Sequence, residues 1–319
     1  MTTTPTLEPV HRLTRDIKVA AATLGRDEAR FLVDAYYTAQ EDRKRTANQS
    51  RALGKSEEPH ATIDFFLSQF STTEKEIAKA LDAYSANDPI GQWARSIVGI
   101  GPVIAAGLLA HIDIDRAQTA GAIWRFAGLD PTAEWKKGQK RPHNAKLKVL
   151  CWKIGDSFVK VSGNEDALYG KIYRQRKEYE VERNEAVIDV TRVVESLDPP
   201  NPFNDDYLVT IDGEGITAYR IEQKDGTTRW FAKGNAKWAA KTLRTKNIQD
   251  AETLAVYRSG KLPAGRLDYR ARRYAVKLFL AHYHEVGRKL KGLDVPAPYP
   301  LAHLGHKDRI VPPNFETEV

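Results

Sequence analysis

Ile97-Val98-Gly99-Ile100-Gly101-Pro102-Val103-Ile104-Ala105-Ala106-Gly107-Leu108-Leu109-Ala110 is the stretch on which the fold turns. A helix candidate, Ile90 to Val98, runs into Gly-Ile-Gly, and a second, apolar helix follows. Gly99 and Gly101 can adopt backbone angles that other residues resist, so the link can be tight. Pro102 suits the first helical position, where its missing N–H costs nothing. The amides of Gly99, Ile100, Gly101 and Val103 then point outward near a positive helix end. That arrangement makes a small anion site. A nucleic-acid phosphate is its natural occupant, and such a contact positions without reading bases.

The pattern resembles a helix-hairpin-helix DNA-binding element. Its continuation carries more signal. Thr119 to Ala127 reads as a short helix closed by Gly128, followed by Leu129-Asp130-Pro131. A basic loop, Lys136 to Lys148, leads into a helix over Ala145 to Val161. Between Lys136 and Lys160 there are eight basic residues and one acid, Asp156. Lys136, Lys137, Lys140, Arg141, Lys146 and Lys148 are the candidate phosphate contacts. Of the two tryptophans flanking this loop, Trp135 reads as a ring free to stack on a base and Trp152 as core.

The whole segment, about Ile97 to Lys160, resembles the C-terminal transposase domain of a known insertion-sequence family. Those transposases pair a DEDD-type ribonuclease-H-like domain with a helix-hairpin-helix domain and include the bridge-RNA-guided recombinases. The resemblance rests on Gly99-Ile100-Gly101-Pro102, Ala105-Ala106, Leu108-Leu109-Ala110, Ile112, Phe126-Ala127-Gly128-Leu129-Asp130-Pro131, Gly138, Asn144 and Leu147-Lys148. It implies a DNA partner in a mobile-element or phage setting, and DNA recombination. Two departures limit what it carries over. The family's catalytic serine would follow the Ala-Gly-Leu-Asp-Pro element, yet no serine occurs between Ser96 and Ser157. Thr132 is the only hydroxyl in that loop. The 88 residues before Pro89 read as helical and are too short for a four-acid nuclease domain. Asp16, Asp27, Asp34 and Asp42 read as exposed helix acids. The expected inheritance is therefore the nucleic-acid grip rather than the cutting chemistry; an active transposase is the alternative.

Outward from this segment the chain reads as mainly α. Leu13 to Leu53 suggests one or two helices, with Phe31, Leu32, Ala35 and Ala39 at helical spacing. Ala61 to Ser85 suggests another, and Asn87-Asp88-Pro89 marks a boundary. Glu165 to Leu197 reads as one long charged helix with Leu168, Ile172, Tyr179, Val187, Val190 and Val194 on one side. Such a stripe could self-associate, so a homo-oligomer through Glu165–Leu197, or a structural protein, is a further alternative. Tyr207 to Phe231 changes to a small antiparallel β-meander, with Asp212-Gly213 and Asp225-Gly226 as its turns. Helices resume over Ala236–Arg244, Ile248–Tyr257 and Tyr269–Leu290, and an irregular Pro-rich tail begins at Gly292. Five stretches follow: 1–88, 89–163, 164–200, 201–235 and 236–319.

Other constellations are weaker. Lys261 to Lys291 holds nine basic residues and two acids. Arg270 and Arg273 there are candidate phosphate contacts, with Tyr269 and Tyr274 as neighbouring rings. His303-x-x-His306 and His282-x-His284 have spacings that could serve a metal, but residues two apart on a helix face different ways. No cofactor is expected. No catalytic set of Arg and His matches Tyr169, Tyr173 or Tyr179 as a nucleophile. The 319-residue chain is 41% hydrophobic and carries a net charge of +7, which excludes a disordered chain and favours a polyanionic partner. Its one cysteine, Cys151, excludes a disulfide framework and fits a reducing cytoplasm. Neither a spanning apolar run nor a secretory start is present, so no membrane partner is expected. DNA is the preferred partner over RNA, although a phosphate grip does not distinguish their sugars.

Overall fold

The computed structural model describes residues 12–54, 61–133, 135, 138–196, 206–297 and 309–315. Among the described residues the chain is mainly α with one small antiparallel sheet. By its contacts the chain divides into two compact units, 1–168 with 276–319, and 169–275, with borders that fall inside the stretches 164–200 and 236–319.

The first unit begins with α1 (Arg15–Ala21), α2 (Arg26–Gly54) and α3 (Ala61–Ala86). Helices α2 and α3 form an antiparallel hairpin. Ser50 donates to Asp64 near the link, Arg43 pairs with Glu74 midway, and Val33 meets Leu81 further along. The register buries Ala29, Val33 and Ala39 of α2. Phe31, one of the apolar residues read as periodic, points to solvent at 71% exposure.

Next come α4 (Pro89–Ser96), α5 (Pro102–His111), α6 (Ala120–Phe126) and α7 (Ala145–Lys160). Each start except that of α5 is closed by a side chain. Asp88 accepts from the Ile90 and Gly91 amides, Thr119 from Ala122, and Asn144 from Lys146 and Leu147. Ala105 to His111 is buried without interruption, because α5 packs on α2, α3 and α7 together. That enclosure accounts for a helix that is apolar on every side. Gly107 permits the closest approach; a Cβ there would lie 2.8 Å from Leu150. The last part of α12 (Ala264–Leu290) completes this core. Phe279 stacks on Trp93 at 6.0 Å and meets Phe158 edge-on at 5.6 Å. The Trp93 indole N–H donates to the Pro313 carbonyl at 2.9 Å, pinning residues 309–315.

The second unit contains α8 (Leu168–Glu185, from Tyr169 on), β1 (Ile188–Asp189), α9 (Thr191–Glu195), β2 (Asp206–Ile211), β3 (Glu214–Glu222), β4 (Thr228–Ala232), α10 (Ala236–Thr245), α11 (Ala251–Arg258) and the start of α12. The sheet order is β1-β4-β3-β2, all antiparallel. The meander read from sequence forms β2 to β4; Asp212 and Gly213 make its first turn with φ of 50° and 80°. One sheet face packs Val209, Ala218 and Trp230 on Val190 and Val194. The other packs Ile221 and Phe231 on Ala239, Tyr257 and Leu267.

The single long helix expected over Glu165–Leu197 is not formed. Helix α8 stops at Glu185, and the chain continues as β1 and then α9. The apolar residues that made the stripe seem continuous are divided. Ile172 is buried on α8, Val187 packs with Tyr257 and Leu262, and Val190 and Val194 cover the sheet. The tertiary demand of the sheet overrides helical spacing. Tyr179, another residue of that stripe, stays 47% exposed.

Candidate nucleic-acid interface

The link between α4 and α5 is a four-residue turn. The Ile100 N–H donates to the Ile97 carbonyl at 2.9 Å, and Gly99 in the third position has φ of +97°. Only glycine takes that angle without strain. A Cβ at Gly99 would also press on Val161, Ser157 and Phe158 at 3.2–3.4 Å. Gly101 makes no comparable demand. It sits at the α5 N-cap with φ of −88°, and a Cβ there would meet nothing within 4 Å.

The four backbone donors read from sequence therefore differ. The Ile100 amide is spent on the turn, and its side chain is buried. Val103 lies in the first turn of α5, where an N–H has no partner of its own helix. Gly101 supplies no cap to that end. Gly99, Gly101 and Val103 are all partly exposed.

Helix α7 fixes where the hairpin lies. The Ser157 hydroxyl donates to the Gly99 carbonyl at 2.5 Å, near the α7 C-terminus. At the other end, Asn144 lies 3.3 Å from His111, the last residue of α5. Helices α5 and α7 are thus antiparallel neighbours. Thirteen helical steps lead from Asn144 to Ser157, or roughly 20 Å. The hairpin and the Asn144–Lys148 end of the basic loop are therefore at opposite ends of α7. The cations nearest the hairpin along α7 are Lys153 and Lys160, one turn either side of Ser157. Lys160 pairs with Asp156 at 2.7 Å, and the Lys153 ammonium lies 3.8 Å above the Tyr37 ring. Burial, then the charge of Lys44, pushes the Lys153 ammonium down.

Around the basic loop, Lys140, Arg141 and Lys148 are exposed. Arg141 lies 5.7 Å from the Trp135 ring, whose N–H donates to the Gln139 carbonyl at 2.8 Å. Lys146 pairs with Asp34 at 3.1 Å. Lys136 and Lys137 fall outside the described residues. Burial, then the charges of Lys148 and Arg141, lowers the His143 pKa, as expected in a cationic patch. Trp152 is 54% exposed rather than core. The buried side of α7 is Leu147, Leu150, Ile154 and Phe158, which leaves Trp152 on the outer side with Lys148 and Val149.

Thr132 donates its hydroxyl to Asp130 at 2.7 Å and its amide to the same oxygen at 2.9 Å. These bonds hold the Asp130 carboxyl below its ordinary range. A carboxylate so weakly basic is a poor acceptor for the hydroxyl proton.

In the second unit, Arg270 is committed internally. It donates to Asn235 at 2.7 Å and pairs at 3.3 Å with Glu180, which is fully buried. A phosphate contact would have to break that pair. Arg273 is partly exposed. His282 and His284 of α12 face different partners, the carbonyls of Ile310 (2.9 Å) and Ala117 (2.8 Å). His303 and His306 lie outside the described residues. Among the described residues, no group of three or more His, Cys, Asp or Glu could hold a metal, and no helix is long and apolar enough to cross a membrane.

Residues 92–149 match the family model described as Transposase IS116/IS110/IS902 family. The match runs from α4, through the hairpin and the loop, into α7, and covers that segment only. It makes this part of the chain transposase-like, in keeping with a mobile-element and recombination setting. No curated protein and no solved structure matches the chain.

Proposed function

We propose that the chain is a transposase-related DNA-binding protein that grips the phosphate backbone at two points. The observation that carries this reading is the bare start of α5. Asp, Thr and Asn side chains close α4, α6 and α7, but Gly101 leaves the first amides of α5 for an external acceptor. Gly101 is required there neither by its φ nor by lack of space. A glycine that folding does not demand suits a position where another backbone must approach closely.

Lys140, Arg141 and Lys148 supply the second grip, with Lys136 and Lys137 of the same loop. The two grips lie roughly 20 Å apart along α7. Since phosphates of one strand repeat every ~3.4 Å, that span suits several phosphates along a duplex rather than one bound anion. Arg270 is left out because Glu180 holds it.

The test is binding of a labelled duplex at two salt concentrations, with the wild type beside a Lys140→Ala, Arg141→Ala, Lys148→Ala variant. Salt-sensitive binding that weakens in the variant is the expected result. No duplex binding by the wild type at low salt would overturn the reading.

A further inference from the structure

A second cationic surface lies outside the transposase-like segment. Lys233 to Gln249 contains five cations and no acid. Helix α10 arranges them. Its inner side, Ala236, Ala239 and Ala240 with Leu243, packs on Ile221, Phe231 and Tyr257. The outer side presents Lys237, Trp238, Lys241 and Arg244 to solvent, with Lys233 and Lys246 exposed just beyond the two ends.

Several other cations among the described residues are neutralised by neighbours. Lys44, Lys79, Lys146, Lys160 and Lys291 each have a carboxylate partner. Lys233, Lys237, Lys241 and Lys246 have none among the described residues. A patch left uncompensated presents a positive field to an approaching polyanion.

Trp238 sits in the middle of this surface, 40% exposed. The Lys241 ammonium lies 6.0 Å from its ring and the Arg270 guanidinium 5.5 Å. Burial, and the charges of Arg183, Arg176 and Arg266, push Arg270 down, against the opposing pull of Glu180. The ring is therefore bordered by Lys241 of its own helix and by Arg270 of α12.

An exposed indole between lysines is the arrangement that binds unpaired strands: phosphates lie on the cations and a base stacks on the ring. A duplex hides its base faces and would leave the ring unused. We propose that the outer face of α10 binds a single strand of nucleic acid, with Lys237 and Lys241 on phosphates and Trp238 stacked on a base. The site is independent of the hairpin, which belongs to the other unit.

The full chain would be titrated with labelled oligo(dT), oligo(U) and a duplex of equal length. The variants are Trp238→Ala, Trp238→Phe, a Lys237→Ala, Lys241→Ala pair, and Gly101→Asp as a hairpin control. Stacking on one base is worth about 1–3 kcal/mol, so Trp238→Ala should lose roughly fivefold or more in single-strand affinity. Trp238→Phe should retain most of it. The lysine pair should lower the salt slope for single strands by about one unit per contact. Gly101→Asp should lower duplex affinity and leave the Trp238 dependence of single-strand binding in place. The relative affinity for oligo(dT) and oligo(U) then tells which strand chemistry the face prefers. The lysine pair is on the surface and keeps the test valid should Trp238→Ala misfold. Three results would overturn the proposal. One is no single-strand binding by the wild type. The second is single-strand affinity unchanged in both the Trp238→Ala and lysine variants. The third is equal binding of poly-glutamate that is insensitive to Trp238→Ala.

Discussion

The Ser157 hydroxyl holds the Gly99 carbonyl at 2.5 Å, tying the α4–α5 turn to the last turn of α7. This bond, across 58 residues, fastens the hairpin to the end of α7 where the antiparallel pairing of α5 with α7 places it. Ser157→Ala removes the donor and leaves the carbonyl poorly satisfied. The expected loss is about 1 kcal/mol of stability by denaturant unfolding, with m unchanged. Gly99→Ala should be worse, about 1–3 kcal/mol, because φ of +97° strains any side chain. Equal stability of Gly99→Ala and wild type would mean that the turn is built differently.

The basic loop should act through charge alone. Each phosphate contact contributes about 0.9 to the slope of log affinity against log salt. Removing Lys140, Arg141 and Lys148 together should lower the slope for duplex DNA by roughly two to three units, alike for every sequence tested. A loss confined to one sequence would indicate base readout instead.

Much of the hairpin was legible in the sequence because it is local. Gly-x-Gly-Pro, Asp88-Pro89, Thr119 and Asn144 announce turns and caps within a few residues. Asp212-Gly213 announced the first turn of the meander in the same way. The division of Glu165–Leu197 was not legible. Val187, Val190 and Val194 keep a helical spacing but satisfy a sheet formed by residues far along the chain. The separation of hairpin from loop was hidden for a similar reason, since it follows from the antiparallel pairing of α5 with α7. Arg270 read as a free cation because Glu180, its partner, is 90 residues earlier. The α10 cations escaped notice because they are spaced along one helix side rather than clustered in a run.

Glu180 should be the costliest acid to remove in the second unit. It is fully buried, accepts from Arg176 at 2.6 Å and pairs with Arg270. Glu180→Ala strands Arg270, which is itself mostly buried. The expected loss is about 3–5 kcal/mol by denaturant unfolding. A loss under about 1 kcal/mol would show that solvent reaches the pair.

Stability should fall with mild acidification. Burial lowers the pKa values of His111, His282 and His284 from their ordinary value of 6.5. A lowered folded pKa means that the unfolded chain binds protons more readily, so stability is greatest above 6.5 and declines as pH drops through that region. Thermal melts at pH 7.5, 6.0 and 5.0 should descend in that order, and His284→Gln should flatten the trend. A melting temperature constant over this range would contradict the assignment.

The most direct test of the central claim is duplex binding by Gly101→Asp at low salt. An aspartate at this N-cap finds open space and a permitted φ, and it can cap α5 from within. It also places negative charge where the phosphate would lie. The account predicts a melting temperature equal to or slightly above wild type, together with a loss of duplex affinity of tenfold or more. Unchanged affinity in the folded variant would contradict the claim that the α5 N-terminus grips the backbone.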